Sequence, residues 1–267
     1  MSTETAFIGA DTALGKYWTK RRFFDYLITK ENYPICNGKK FQMMILLDPA
    51  LSHGSYKSRK NIEQDTKLVD FLINSFDEIK SELTVFITTC DMLPTDADEN
   101  TPALTESDDP FVQNRIKMYH AVNRIYGRVL NVHVPELAVP KPEFSPLLDC
   151  CVNPPAGRTK LPFNPNQKYQ FYFPERIMGD VERCIPLGIP AIIPAVPPLE
   201  AKEIIECLAP KLLSRLPKVK EEDADKPCPA SSERTSIHSF HWLDPKDGYF
   251  VSKSDQLALL QFYFGEM

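Results

Sequence analysis

Thr5-Ala6-Phe7-Ile8-Gly9-Ala10-Asp11-Thr12-Ala13-Leu14-Gly15 is the stretch whose reading decides the fold. Thr5 to Ile8 suits a short buried strand, and Lys16 to Lys30 suits a helix. Between them, Gly9 to Gly15 has the spacing of a dinucleotide-binding turn whose middle glycine is replaced by Thr12. Glycines in such a turn let the backbone bend sharply and approach a pyrophosphate, which then rests on the free N–H groups of the helix N-terminus. Thr12 puts a β-branched side chain at the most crowded point. Spacing alone fits a chance glycine pair opening a helix equally well, so the strand before and the helix after carry the argument. The candidate contacts to a dinucleotide in this loop are Gly9, Asp11, Thr12, Leu14 and Gly15.

Downstream, apolar runs alternate with helical periods. Phe41 to Leu47 is a continuous apolar strand ending at Asp48-Pro49, as expected for a parallel strand buried on both faces. Val69, Leu72, Ile73, Phe76 and Ile79 fall on one face of a helix expected over Asn61 to Lys80. Leu83 to Thr89 and Arg128 to Val134 read as further strands. Between them a helix is expected over Pro110 to Tyr126, capped by Asp109 and burying Val112, Ile116, Tyr119, Val122 and Tyr126. This alternation predicts an α/β fold, a Rossmann-like doubly wound parallel sheet with its core over residues 1–138.

Residues 139–267 are expected to supply a proline-rich connection, the last core elements and a small C-terminal α/β lobe. Residues 139–166 hold seven prolines and the Cys150-Cys151 pair. Helices are expected near Glu175 to Ile185, over Pro198 to Leu213 and over Asp255 to Phe264 with Ser254 as cap. Ile189 to Val196 reads as a proline-interrupted strand, and residues 217–236 as an exposed charged loop.

Composition narrows the function classes. A formal charge of −5 disfavours a nucleic-acid partner, since phosphate neutralisation needs a basic face. No apolar run reaches membrane-spanning length, and Met1 to Thr5 is too short for a signal peptide. Seven cysteines without a C-x-x-C pair point to a reducing compartment, the cytoplasm or the mitochondrial matrix, and to no metal site. His238 and His241 lack further ligands at a telling distance and read as surface or packing residues. Lys16, Lys20, Arg21 and Arg22 read as a solvated helix face. Residues 96–109, with six acids and no base, read as a solvated loop or a docking strip for a basic subunit.

Four more segments follow the opening turn in order: Ile87 to Leu93, Pro110-Phe111-Val112-Gln113-Asn114-Arg115, Tyr169 to Pro174 and Asp247 to Lys253. Together, and over most of the chain, they resemble the short-chain dehydrogenase/reductase superfamily, in its atypical or extended branch of NAD-dependent epimerase/dehydratase-like proteins. The resemblance implies a bound NAD or NADP. It puts Thr89 at the catalytic Ser/Thr position and Asp48 where the loop passes the adenine, although Asp48 fits a plain strand terminator equally well. Phe111 falls at the catalytic tyrosine and Arg115 at the lysine four residues later, where it can hydrogen-bond a ribose or phosphate. The acidic residue that reads the adenosine ribose finds no counterpart in Asn32 to Asn37.

In that family the lysine lowers the tyrosine's pKa so that the phenol can exchange a proton near neutrality. Phe111 has no proton to give. Tyr26/Lys30 and Tyr56/Lys60 share the four-residue spacing but lie away from Thr89, and Tyr119 reads as core. The resemblance therefore implies a degenerate member with no catalytic residue of the tyrosine type, inactive or strongly impaired. It would act as an accessory subunit among other proteins, as the short-chain-dehydrogenase-like subunit of respiratory complex I does, rather than on a small-molecule substrate. The alternative is an active epimerase, dehydratase or reductase on a nucleotide-linked sugar, relying on Thr89, Arg115 and a residue or water from elsewhere to manage the proton.

Overall fold

The computed structural model describes residues 4–157, 160–217, 234–237 and 248–265. Strand β1 (Thr5–Ile8) leads through the glycine turn into α1 (Ala13–Thr19), followed by β2 (Tyr26–Ile28) and β3 (Lys40–Leu47). Next come α2 (Pro49–His53), α3 (Ser55–Lys60), α4 (Ile62–Ser75), β4 (Lys80–Thr89), α5 (Pro110–Ile125) and β5 (Val129–Val134). The remainder comprises β6 (Glu136–Leu137), α6 (Pro146–Val152), β7 (Lys168–Tyr169), β8 (Phe171–Tyr172), α7 (Pro174–Leu187), β9 (Ala191–Ile192), β10 (Leu199–Glu200), α8 (Ala201–Leu208) and α9 (Lys253–Phe264). None of the described helices is long and apolar enough to cross a membrane.

Six strands form a parallel sheet in the order β2-β1-β3-β4-β5-β9. Successive side chains point to opposite faces, so each central strand feeds two cores. Ala6, Ile8, Met44 and Leu46 pack beneath α4 and α5 with Val69, Leu72, Phe76, Met118 and Val122. Phe7, Ile45 and Leu47 point the other way, toward Trp18, Leu51 and the Ile177, Met178 and Val181 face of α7. This is the doubly wound α/β architecture expected from the sequence. The small lobe gathers α6, α8 and α9 around a third cluster that includes Leu148, Ile204, Ile205 and Leu260. Two short ladders accompany it, β7 with β10 and β6 with β8.

The first expected helix needs correction. It ends at Thr19, where the buried Trp18 donates its indole N–H to the Pro174 carbonyl at 2.9 Å and anchors the turn to α7. The chain then re-enters the sheet, with Phe24 packed on Phe7 at 5.2 Å and the Asp25 carboxylate accepting the Thr5 N–H at 2.7 Å. Tyr26, Leu27 and Ile28 consequently pair with Ala6, Phe7 and Ile8. Tyr26 lies in β2, away from any helical partnership with Lys30, and Tyr56 and Lys60 belong to α3 rather than a loop.

Other boundaries shift for local reasons. Ser252, not Ser254, caps α9, accepting the Asp255 N–H at 3.1 Å. The expected 198–213 helix stops at Leu208, and Pro210 opens a separate 3₁₀ turn, since proline offers no N–H to continue the helix. Of the strand expected over Ile189 to Val196, only Ala191 and Ile192 pair. His238, His241 and residues 218–233 lie outside the described residues.

Candidate functional site

The chain leaves β1 outward to β2 and crosses back to β3, so the carboxyl ends of β1 and β3 form the point at which strand order reverses. Open α/β sheets place ligands at such a crevice. Gly9 begins the turn there with φ +100, a conformation that favours glycine. The Gly9 and Ala10 N–H groups donate to the Ile28 carbonyl at 3.0 and 3.1 Å, holding the turn against β2. Gly15 is required by close approach, because a Cβ there would lie 2.0 Å from the Gly9 carbonyl oxygen.

Thr12 does not crowd the turn as its type suggested. Its hydroxyl folds inward, donating to the Gly9 carbonyl at 2.7 Å and accepting the Gly15 N–H at 3.0 Å, so it is the N-cap of α1. Gly9, Asp11 and Thr12 border a cavity of about 170 Å³ at the switch point. Leu14 and Gly15 are buried and lie outside its lining.

The same cavity is bordered by Thr29 and Glu31 after β2 and by Pro49 after β3. Glu31 is the residue that the sequence reading missed. It stands three residues beyond β2, about twenty after the glycine turn, where an acidic group reads a ribose in dinucleotide folds. Hydrogen bonds from its own backbone N–H and from Thr29 hold its carboxyl below the usual range. The signal is hidden in the sequence because Tyr26–Ile28 reads there as part of a helix running to Lys30.

Asp48 and Arg115 face neither this cavity nor the larger one described below. Both side chains are fully buried and form an ion pair at 3.1 Å. Arg115 also reaches Asp65 of α4 at 2.7 Å, and the Asn114 amide donates to the same Asp65 oxygen at 2.7 Å. Asp48 further accepts the Thr88 hydroxyl at 2.7 Å and the Ala50 N–H at 2.8 Å. Burial pushes the Asp48 carboxyl up, opposed chiefly by Arg115. The arginine that the resemblance assigns to a ribose or phosphate thus ties α5 to α4 and to the end of β3. Phe111 is buried as well, with the Arg59 guanidinium 4.0 Å from its ring centre and that of Arg115 at 4.8 Å.

A second, larger cavity of about 590 Å³ opens beside the ends of β4 and β5. Thr89 borders it, as do Arg59, Asp91, Asp109, Glu136 and Gln170. The Thr89 hydroxyl accepts the Asp91 N–H at 3.4 Å, capping a 3₁₀ turn over Cys90–Met92. Arg59 pairs with Asp91 and, at 2.9 Å, with Asp109. Burial pushes the Cys90 thiol up to about 12, and its S–H donates to the His133 carbonyl at 3.1 Å. Glu136 is pushed up to about 8 by burial and secondarily by Asp91, against the opposing pull of Arg59. Helix α2 separates the two cavities, with Pro49 facing the smaller and Ala50 and Leu51 the larger.

The acidic strip divides by role. Asp96, Glu106 and Asp108 are exposed. Glu99 is turned inward, its carboxylate accepting the Ile193 and Ile237 N–H groups at 2.8 Å each.

No family model matches the sequence, and a search of curated proteins finds no match. Solved structures do match by shape. A dTDP-4-dehydrorhamnose reductase from Clostridium acetobutylicum superposes with a TM-score of 0.61 at 13% identity, covering 95% of this chain and 96% of its own. A UDP-N-acetylglucosamine 4-epimerase from Bacillus cereus gives 0.57 at 11% identity, covering 98% and 99%. MoeE5, solved in complex with UDP-glucose and NAD, gives 0.57 at 11% identity, covering 87% and 89%. The chain has the fold of the NAD-dependent epimerases and reductases over nearly its whole length.

Proposed function

We propose that this chain binds NAD(H) at the switch point and has lost, or keeps only in strongly impaired form, the hydride-transfer chemistry of the proteins that share its fold. One observation supports the reading: Gly9, Thr12 and Glu31 border one cavity at the switch point, while Phe111 and Arg115 are buried and line neither cavity. In this reading a pyrophosphate approaches Gly9 and Thr12, and Glu31, three residues past β2 on the same cavity, accepts the ribose hydroxyls. A carboxylate there favours NAD over NADP, because it repels a 2′-phosphate. At the other end Phe111 carries no proton, and Arg115 is committed to Asp48 and Asp65. A bound nicotinamide supplies a hydride donor or acceptor, so the loss falls on proton transfer. General acid–base assistance is worth roughly 10²–10⁴-fold, which sets the scale of the impairment.

The main role is then that of an accessory subunit in a larger assembly of a reducing compartment, the exposed acids Asp96, Glu106 and Asp108 being offered to basic neighbours. A second reading, slow turnover of a nucleotide-linked sugar, is favoured by the cavity of about 590 Å³ beside Thr89. Fluorescence titration with NADH and NADPH tests the first statement: micromolar binding with NADH preferred supports it, and no binding up to millimolar sinks it. Incubation with UDP-glucose and NAD, following NADH formation, tests for residual turnover. Co-purification with a large complex from the native source tests the accessory role.

A further inference from the structure

The larger cavity holds an ionisable group that the readings above leave without a role. Glu136 follows β5 by way of Pro135, and Thr89 ends the neighbouring strand β4. Thr89 pairs with Val134 across the β4–β5 ladder, two residues before Glu136, and both residues line the same cavity. Oε2 of Glu136 is buried and has no hydrogen-bond partner among the described residues. The other two carboxylates there, Asp91 and Asp109, are both engaged by Arg59.

We propose that Glu136 is the proton-transfer residue of this cavity, working from the β5 side beside Thr89 in place of a tyrosine on α5. The proposal rests on the reading of residual turnover given above. In the oxidising direction the O–H bond of a ligand hydroxyl breaks and its proton passes to the Glu136 carboxylate. The O–H electron pair would become the new C=O π bond, and an oxidised nicotinamide reaching past α2 into this cavity would accept the C–H pair as hydride. In the reducing direction Glu136 returns the proton to the carbonyl oxygen. The charged groups that also line the cavity are Arg59, Asp91, Asp109, Lys168 and Arg234. Burial and Asp91 keep Glu136 protonated at neutral pH, so it begins as an acid and becomes a base only as the pH passes about 8.

The test uses the full chain and Glu136→Gln, with UDP-glucose and NAD as reactants and NADH affinity as the check that the variant is folded. Turnover of the natural chain rises about tenfold per pH unit and levels near pH 8. Glu136→Gln lowers it by at least ~100-fold and abolishes that limb while still binding NADH. Independently of turnover, carbon-13 spectra show one glutamate carboxyl titrating near 8 that is missing from the variant. Undiminished turnover in Glu136→Gln, a Glu136 carboxyl titrating in the ordinary range, or a natural chain that binds NADH without turnover each overturns the proposal while leaving the dinucleotide reading intact. Failure to bind NADH removes that reading, and with it the hydride partner on which this step depends.

Discussion

Arg59 holds its guanidinium 4.0 Å from the ring centre of Phe111, and the ring is fully buried. Restoring a tyrosine at this position therefore adds a hydroxyl to a closed site instead of delivering one to a cavity. Phe111→Tyr is expected to leave turnover of UDP-glucose unraised and to cost about 1–3 kcal/mol, the penalty of an unsatisfied buried hydroxyl. Urea denaturation of the two proteins, beside their NADH-formation rates, checks both parts. A gain in rate would show that the phenol reaches the reacting end after all.

Glu31→Ala removes the carboxylate that we propose accepts the ribose hydroxyls. NADH binding is expected to weaken by about tenfold, since the ribose hydroxyls lose a charged acceptor. NADPH binding changes less, so the preference narrows. Parallel fluorescence titrations read this out.

Arg115→Met leaves Asp48 and Asp65 buried without their cation. Breaking a buried pair by removing one partner costs about 3–5 kcal/mol. The urea midpoint should fall accordingly while the slope of the transition stays constant.

Asp180 on α7 accepts the Tyr172 hydroxyl and pairs with Arg183 at 3.3 Å, yet burial pushes its carboxyl up to about 7. Its folded pKa lies above the unfolded value of 3.8, so the unfolded chain releases its proton first as pH rises. The contribution is fully present below about pH 4 and is lost on the way to about pH 7. Its full size is on the order of 4 kcal/mol. Asp180→Asn flattens this part of the stability profile, which thermal melts across that range measure directly.

Charge reversal separates the two kinds of acid in residues 96–109. Glu106→Lys and Asp108→Lys, at exposed positions, are expected to change stability by less than ~0.5 kcal/mol and to loosen an assembly with basic neighbours. Glu99→Lys instead strands the Ile193 and Ile237 N–H groups and should destabilise the chain by at least ~2 kcal/mol. Melting curves and co-purification, taken together, distinguish these effects.

What could be read in the sequence was what is local. Strands β3, β4 and β5 announce themselves as apolar runs, and α5 by Asp109, Pro110 and its apolar spacing. Strand β2 was illegible because it is three residues long and follows a helix with no proline or glycine between them. Losing it also lost Glu31. The commitment of Arg115 was illegible for a different reason, since its partners Asp48 and Asp65 are brought to it by β3 and α4. Glu136 gave no sign because its unusual proton affinity is made by its neighbours and its burial.

Thr12 turns the lost glycine into a form of independence. A helix that relies on a phosphate to satisfy its first N–H groups is complete only when the ligand is present. Here the Thr12 side chain meets the Gly15 N–H itself. One N–H at the start of α1 is thus met without any ligand, and a ligand bound at this turn would add stability by mass action, in step with its concentration over its dissociation constant. The first turn of α1 therefore keeps its Gly15 contact whether or not a ligand is present.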